Sequence, residues 1–140
     1  MFKNILVAYD GSEHSKKAAK TAGGLIREQN QVAVVRIVTV MDPAPLELGE
    51  PFVSHLIEQR TRTGDALLAE GVSLLGEGIE THKELLFGSA AEGIIQVAEA
   101  RGSDLIVIGE RGLGLLEGLL LGSQAQRVIS RAKCPVLIVK

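Results

Sequence analysis

Four residues in the last third of the chain, Gly109-Glu110-Arg111-Gly112, are followed after nine residues by Gly122-Ser123. Glycine lets a backbone turn with positive φ and approach a ligand with no Cβ in the way. Gly109 and Gly112 are assigned that work, and Gly122 the same work at the entry to a helix. The free N–H groups of a first helical turn, at the positive end of the helix dipole, suit a phosphate. The Ser123 hydroxyl can bond a phosphate or cap the helix. The bland alternative is a glycine-rich turn with an ordinary serine cap. No Gly-Lys-Ser/Thr occurs, so this is not a Walker loop. Gly112-Leu113-Gly114 opens like a dinucleotide fingerprint, but Glu117 stands where the third glycine is required.

A second group is Asp10-Gly11-Ser12, directly after an apolar run. A carboxylate there can accept hydrogen bonds from ribose hydroxyls or an adenine amino group; the alternative is an Asx turn or a helix cap. Val40, at the end of the next apolar run, can offer its backbone N–H and C=O to an adenine edge, although a strand valine is core by default. Arg111 can neutralise phosphate charge but reads first as a surface arginine. Asp42 and Glu110 can help hold a divalent ion without counting as ligands. His14, His55 and His82 have no metal-ligand spacing, so no metal site is assigned. Asp104 reads as a structural turn. No catalytic residue is assigned, because the sequence offers neither a general base nor a P-loop lysine.

These residues need a scaffold that brings strand ends together. Five apolar runs supply it: Asn4 to Tyr9, Val32 to Val40, Glu80 to Phe87 (the most polar), Asp104 to Ile108 and Pro135 to Val139. Most are continuously apolar, as strands of a parallel sheet covered on both faces must be. Helical periods lie between them: Ala18, Ala22, Leu25 and Ile26 after a cap at Ser12; Val53 through Leu75; Ala91, Ile94, Ile95 and Ala98; and Ala125, Val128, Ile129 and Ala132. The alternation predicts an α/β fold, an open doubly wound sheet of Rossmann-like type, as one domain over 1–140. Ligands of such sheets bind at the carboxyl ends of strands. That rule selects Tyr9 to Ser12, Thr39 to Asp42 and Gly109 onward. Met41 to Pro51, with three of the four prolines, reads as a loop.

Fifteen basic against seventeen acidic residues leave no basic tract, and aromatics are only 3%, which argues against nucleic acid as a partner. No apolar run approaches the length of a membrane span, and the amino terminus lacks the organisation of a signal peptide. The single cysteine, Cys134, excludes an internal disulfide, fits a reducing cytoplasm and reads as a small buried hydrophobe.

Asp10-Gly11-Ser12, the run Asp104-Leu105-Ile106-Val107-Ile108-Gly109, the Gly-x2-Gly-x9-Gly-Ser spacing and the ending Cys134-Pro135-Val136-Leu137-Ile138-Val139 together resemble the universal stress protein family. The resemblance covers nearly the whole chain. It implies strand order 3-2-1-4-5 and a homodimer through the last strand, 135–139, where an apolar edge needs cover. It also implies membership of the ATP-binding subgroup, with Asp10 at the ribose or adenine, Val40 at the adenine, and Gly109, Gly112, Gly122 and Ser123 at the phosphates. Gln124 departs from the family pattern, which favours a small apolar residue there. The six leucines of 113–121 depart too and suggest a loop packed on protein.

The expected function is therefore an adenine-nucleotide-binding stress-response or signalling protein, holding ATP (or ADP or AMP) with Mg2+ and hydrolysing it slowly or not at all. The alternatives are a divalent-metal-dependent ATPase and a structural dimer that docks a partner without nucleotide. A phosphorylated receiver domain fails on chemistry, since Phe87-Gly88 stands where an acidic acceptor is needed.

Overall fold

The computed structural model describes residues 1–111 and 122–140. The elements run β1 (Asn4–Ala8), α1 (Glu13–Glu28), β2 (Val34–Met41), α2 (Phe52–Leu75), β3 (Glu80–Phe87), α3 (Ala90–Arg101), β4 (Leu105–Gly109), α4 (Ser123–Arg131) and β5 (Val136–Val139). The five strands form one parallel sheet in the order β3-β2-β1-β4-β5. This is the expected architecture. The chain builds outward from β1 in one direction, then returns to build from β1 in the other, so the order reverses between β1 and β4.

Period-two alternation explains why the strands are apolar on both faces. Ile5, Val7, Val35, Ile37, Leu105 and Val107 pack against Ala18, Ala19 and Ala22 of α1 and Leu68 and Leu75 of α2. Leu6, Ala8, Val38, Ile106 and Ile108 point the other way, against α3 and α4. Burial of a large aliphatic side chain stabilises by about 2 kcal/mol. The fully buried Leu6, Ile37 and Ile106 therefore place the stability in the middle of the sheet. The alanines of α1 let that helix lie close to the strands. At Gly109 the approach leaves no room at all, since an added Cβ would stand 2.8 Å from backbone carbon of His14.

Local bonds fix the element ends. Ser12 Oγ accepts from the Ser15 N–H at 3.2 Å, the N-cap expected of it. Gly102 closes α3 in the left-handed conformation, φ 65° and ψ 40°. Asp104 accepts from the backbone N–H groups of Lys3 (2.8 Å) and Asn4 (3.1 Å), a structural role at the amino end of the sheet. The segment between β2 and α2 contains a short 3-10 turn, Leu46–Leu48. Arg60 holds its start, with Nη1 donating to the carbonyls of Asp42 (2.8 Å) and Pro43 (2.7 Å).

Two sequence expectations change. Ile129 belongs to the helical period of α4, but only Ala125 and Val128 of that face are buried, and Ile129 is 45% exposed. Cys134 is half-buried rather than buried; it packs on the α3–α4 side of the core, and that burial raises its thiol pKa. Among the described residues no helix is long and apolar enough to cross a membrane.

Candidate functional site

A cleft of about 380 Å3 opens at the carboxyl ends of the strands, beside the reversal in strand order. That volume lies within the range of small-molecule sites. Asp10, Val40, Gly109 and Gly122, which lie far apart in the sequence, all line it.

The cleft exists because β1 leaves the sheet early. Tyr9 N–H still donates to the Val38 carbonyl at 2.9 Å. Asp10 then turns away, its Oδ1 accepting from the Ser12 N–H at 2.9 Å. Gly11 makes the turn at φ 82°, where a Cβ would also meet Leu67 at 2.7 Å. Asp10 is therefore in an Asx turn and on the cleft wall at once, so the turn and the binding role are compatible.

Opposite this exit, β2 continues to Met41. Val38 bonds towards β1, and in a parallel ladder every second residue bonds the same way, so the N–H and C=O of Val40 also point towards β1. Nothing of β1 reaches them. The Tyr9 carbonyl, which a continued ladder would offer to the Val40 N–H, accepts instead from Thr39 Oγ1 at 2.8 Å. No backbone partner for Val40 on that side occurs among the described residues. Among the described residues the Val40 donor and acceptor are therefore unpaired, and Val40 lines the cleft. An adenine edge carries the complementary pair.

On the other side, Gly122 N–H donates to the Glu110 carbonyl at 2.9 Å, which pins together the two chain segments flanking 111–121. Gly122 is the N-cap of α4, with φ −66° and no side-chain cap, so the first turn of that helix begins at the cleft. Three sequence readings are corrected here. Gly109 and Gly122 do not have positive φ. Gly109 is glycine because α1 crosses it at His14. Ser123 is the first helical residue rather than the cap and is exposed, beside the cleft rather than lining it. Gly112 and the leucines of 113–121 lie outside the described residues.

The sequence reading missed the β3 end. Gly88, Ser89 and Ala90 line the cleft, with Gly88 at φ 139° and its N–H on the Met41 carbonyl at 2.9 Å. The strand-end rule that selected Asp10 and Gly109 applies equally to Gly88. Gln124 was also missed as a wall residue: its Oε1 accepts from the Ala91 N–H at 2.9 Å and so ties α4 to the first turn of α3. Arg111, read as a surface arginine, lines the cleft with Asp42. Among the described residues no cluster of His, Cys, Asp or Glu is arranged to hold a metal ion.

The universal stress protein family model matches residues 1–140. The chain belongs to the universal stress protein family. It is 44% identical over 140 residues to the universal stress protein encoded 3′ of the QAH/OAS sulfhydrylase gene of Thermus aquaticus, with all of both chains covered. Among solved structures, hypothetical protein MJ0577 superposes with a TM-score of 0.89 at 28% identity, over 100% of this chain and 96% of that one. A universal stress protein solved in complex with cAMP superposes with a TM-score of 0.77 at 25% identity, over 99% of this chain and 97% of the other. The family thus includes a close structural neighbour holding an adenine nucleotide.

Tyr9, where β1 leaves the sheet, sends its side chain into the α1–α2 side of the core. Tyr9 is buried, and its hydroxyl donates to Glu70 of α2. Burial first, then that bond and the nearby carboxylates, push its pKa well above the ordinary phenol value. Tyr9 is the only tyrosine and the chain has no tryptophan, so absorbance near the phenolate band reports on it alone. A native pH titration should show no phenolate as pH passes the ordinary value of about 10. Since the folded pKa is raised, the associated stability is complete below about pH 10 and declines as pH rises beyond it. Phenolate appearing at about pH 10 in folded protein would contradict the buried bond.

Proposed function

We propose that this universal stress protein binds an adenine nucleotide, ATP or a shorter relative, in the cleft between Val40 and the amino end of α4, and acts by holding it. The observation that carries the reading is the backbone edge of Val40, unpaired among the described residues and facing the exit of β1. It supplies a donor and an acceptor for a flat heterocycle, and Asp10 lies within the same cleft for ribose hydroxyls. Gly122 and Ser123 open α4 at the other end, where free helical N–H groups favour phosphate oxygens. The cAMP complex of a family neighbour supports the same ligand class. Arg111 is the cationic side chain on the cleft wall and is assigned to the phosphates. Magnesium would arrive on the phosphate oxygens, with Asp42 as the carboxylate on the lip; this fits an ion that keeps most of its water and takes few protein ligands.

The proposal extends to a homodimer through β5. This edge strand has all four residues half-buried, and beside it on α4 stands the exposed Ile129. The Pro135 and Val139 carbonyls accept from Ile106 and Glu110 of the β4 side, so alternation turns the N–H groups of Val136 and Ile138 outward. An apolar edge with outward donors is a template for a second copy of itself.

Two outcomes test these readings. Isothermal titration with ATP, ADP and AMP should give one site per chain, and Gly122→Val should abolish it while leaving the circular dichroism spectrum unchanged. No heat at millimolar ligand would sink the nucleotide reading. For the dimer, Ile138→Pro removes one outward donor without touching the bonds to β4, and it should shift sedimentation from dimer to monomer. Unchanged dimer in that variant would remove β5 from the interface.

A further inference from the structure

Gln124 has an amide whose two ends are not equivalent. Its Oε1 accepts from the backbone N–H of Ala91 at 2.9 Å, and a backbone N–H can only be met by the carbonyl end. The orientation of the side chain is thereby set. Its Nε2 is the end left over, and no described residue accepts from it. Gln124 is half-buried and lines the cleft, and among the described residues no buried side-chain nitrogen or oxygen lacks a partner. Gln124 also stands in the first turn of α4, two residues beyond the Gly122 cap, beside the free N–H groups at that helix end.

We infer that Gln124 is a specificity-determining residue: with its oxygen committed to α3, it presents only donors to the cleft and selects a ligand that carries an anionic oxygen there, a nucleoside phosphate over the uncharged nucleoside. This rests on the nucleotide reading of the same cleft. An arginine or lysine would attract anions indiscriminately from a distance. A neutral amide held from behind acts only at hydrogen-bond range, so it discriminates by position. Its attachment to Ala91 also couples the first turns of α3 and α4, the two helices whose amino ends meet at the cleft.

The test compares AMP with adenosine by isothermal titration, for the wild-type chain, Gln124→Glu and Gln124→Met. The glutamate keeps an acceptor for the Ala91 N–H but replaces the donors with a negative charge; the methionine keeps the shape and removes both functions. The preference for AMP over adenosine should fall by about tenfold or more in Gln124→Glu, as expected for losing a hydrogen bond to a charged group. It should fall by about tenfold in Gln124→Met, which loses the same bond without added repulsion, with adenosine affinity within about twofold of wild type in both. The AMP deficit of Gln124→Glu should shrink as salt is raised, which a packing defect would not do. If Gln124→Glu does not fold, the methionine variant decides alone. A preference unchanged in the folded variants, or adenosine weakened as much as AMP, overturns the inference and leaves the nucleotide reading standing. A wild-type chain that binds neither ligand overturns both.

Discussion

The site depends on the central strand stopping before its neighbours. β1 makes its last bond at Tyr9, turns through the Asx bond of Asp10 and the positive φ of Gly11, and is capped into α1 by Ser12. Meanwhile β2 runs on to Met41 and β4 to Gly109. A gap in the middle of a parallel sheet leaves polar backbone unpaired on its flanks. Such groups are costly to bury without a partner, by about 1–3 kcal/mol each. The fold tolerates the gap because the cleft is open to solvent and to ligands, and because Thr39 satisfies the Tyr9 carbonyl from the side.

The remaining architecture keeps that gap rigid. Alanines on α1 and the missing side chain of Gly109 bring the first turn of α1 against the end of β4. Arg60 holds the chain leaving β2, and Gly88 holds β3 to Met41 at the same level. The Glu110–Gly122 bond and the Gln124–Ala91 bond close the far side. A ligand would therefore meet walls formed by four strand ends and three helix starts. Backbone donors and acceptors carry little cost of ordering when they sit on rigid elements.

Much of this was legible in the sequence, for local reasons. The order of apolar runs and helical periods predicts the sheet, and Asp10-Gly11-Ser12 announces a turn and a cap because those residues act on their own neighbours. The glycines of the last third were legible as unusual but not in their cause. Gly109 is explained by a helix nearly a hundred residues away in sequence, and only the assembled fold shows His14 against it. Gln124 and Arg60 were illegible for the same reason: each bonds to backbone of a distant element, and no period or spacing records that. Ile129 kept the period of α4 yet faces outward, because α4 lies beside an edge strand rather than over the middle of the sheet.

The central claim is that the free edge of Val40, with Asp10 and the α4 start, forms one adenine-nucleotide site. Backbone amide resonances recorded during titration with AMP test it most directly. The account predicts that the amides of Asp10, Val40, Gly109 and Gly122 shift together with one dissociation constant, and that the Val40 amide becomes protected from solvent exchange when AMP is bound. Shifts confined to β5 or the β3 edge, or a Val40 amide that exchanges equally fast with and without AMP, would contradict it.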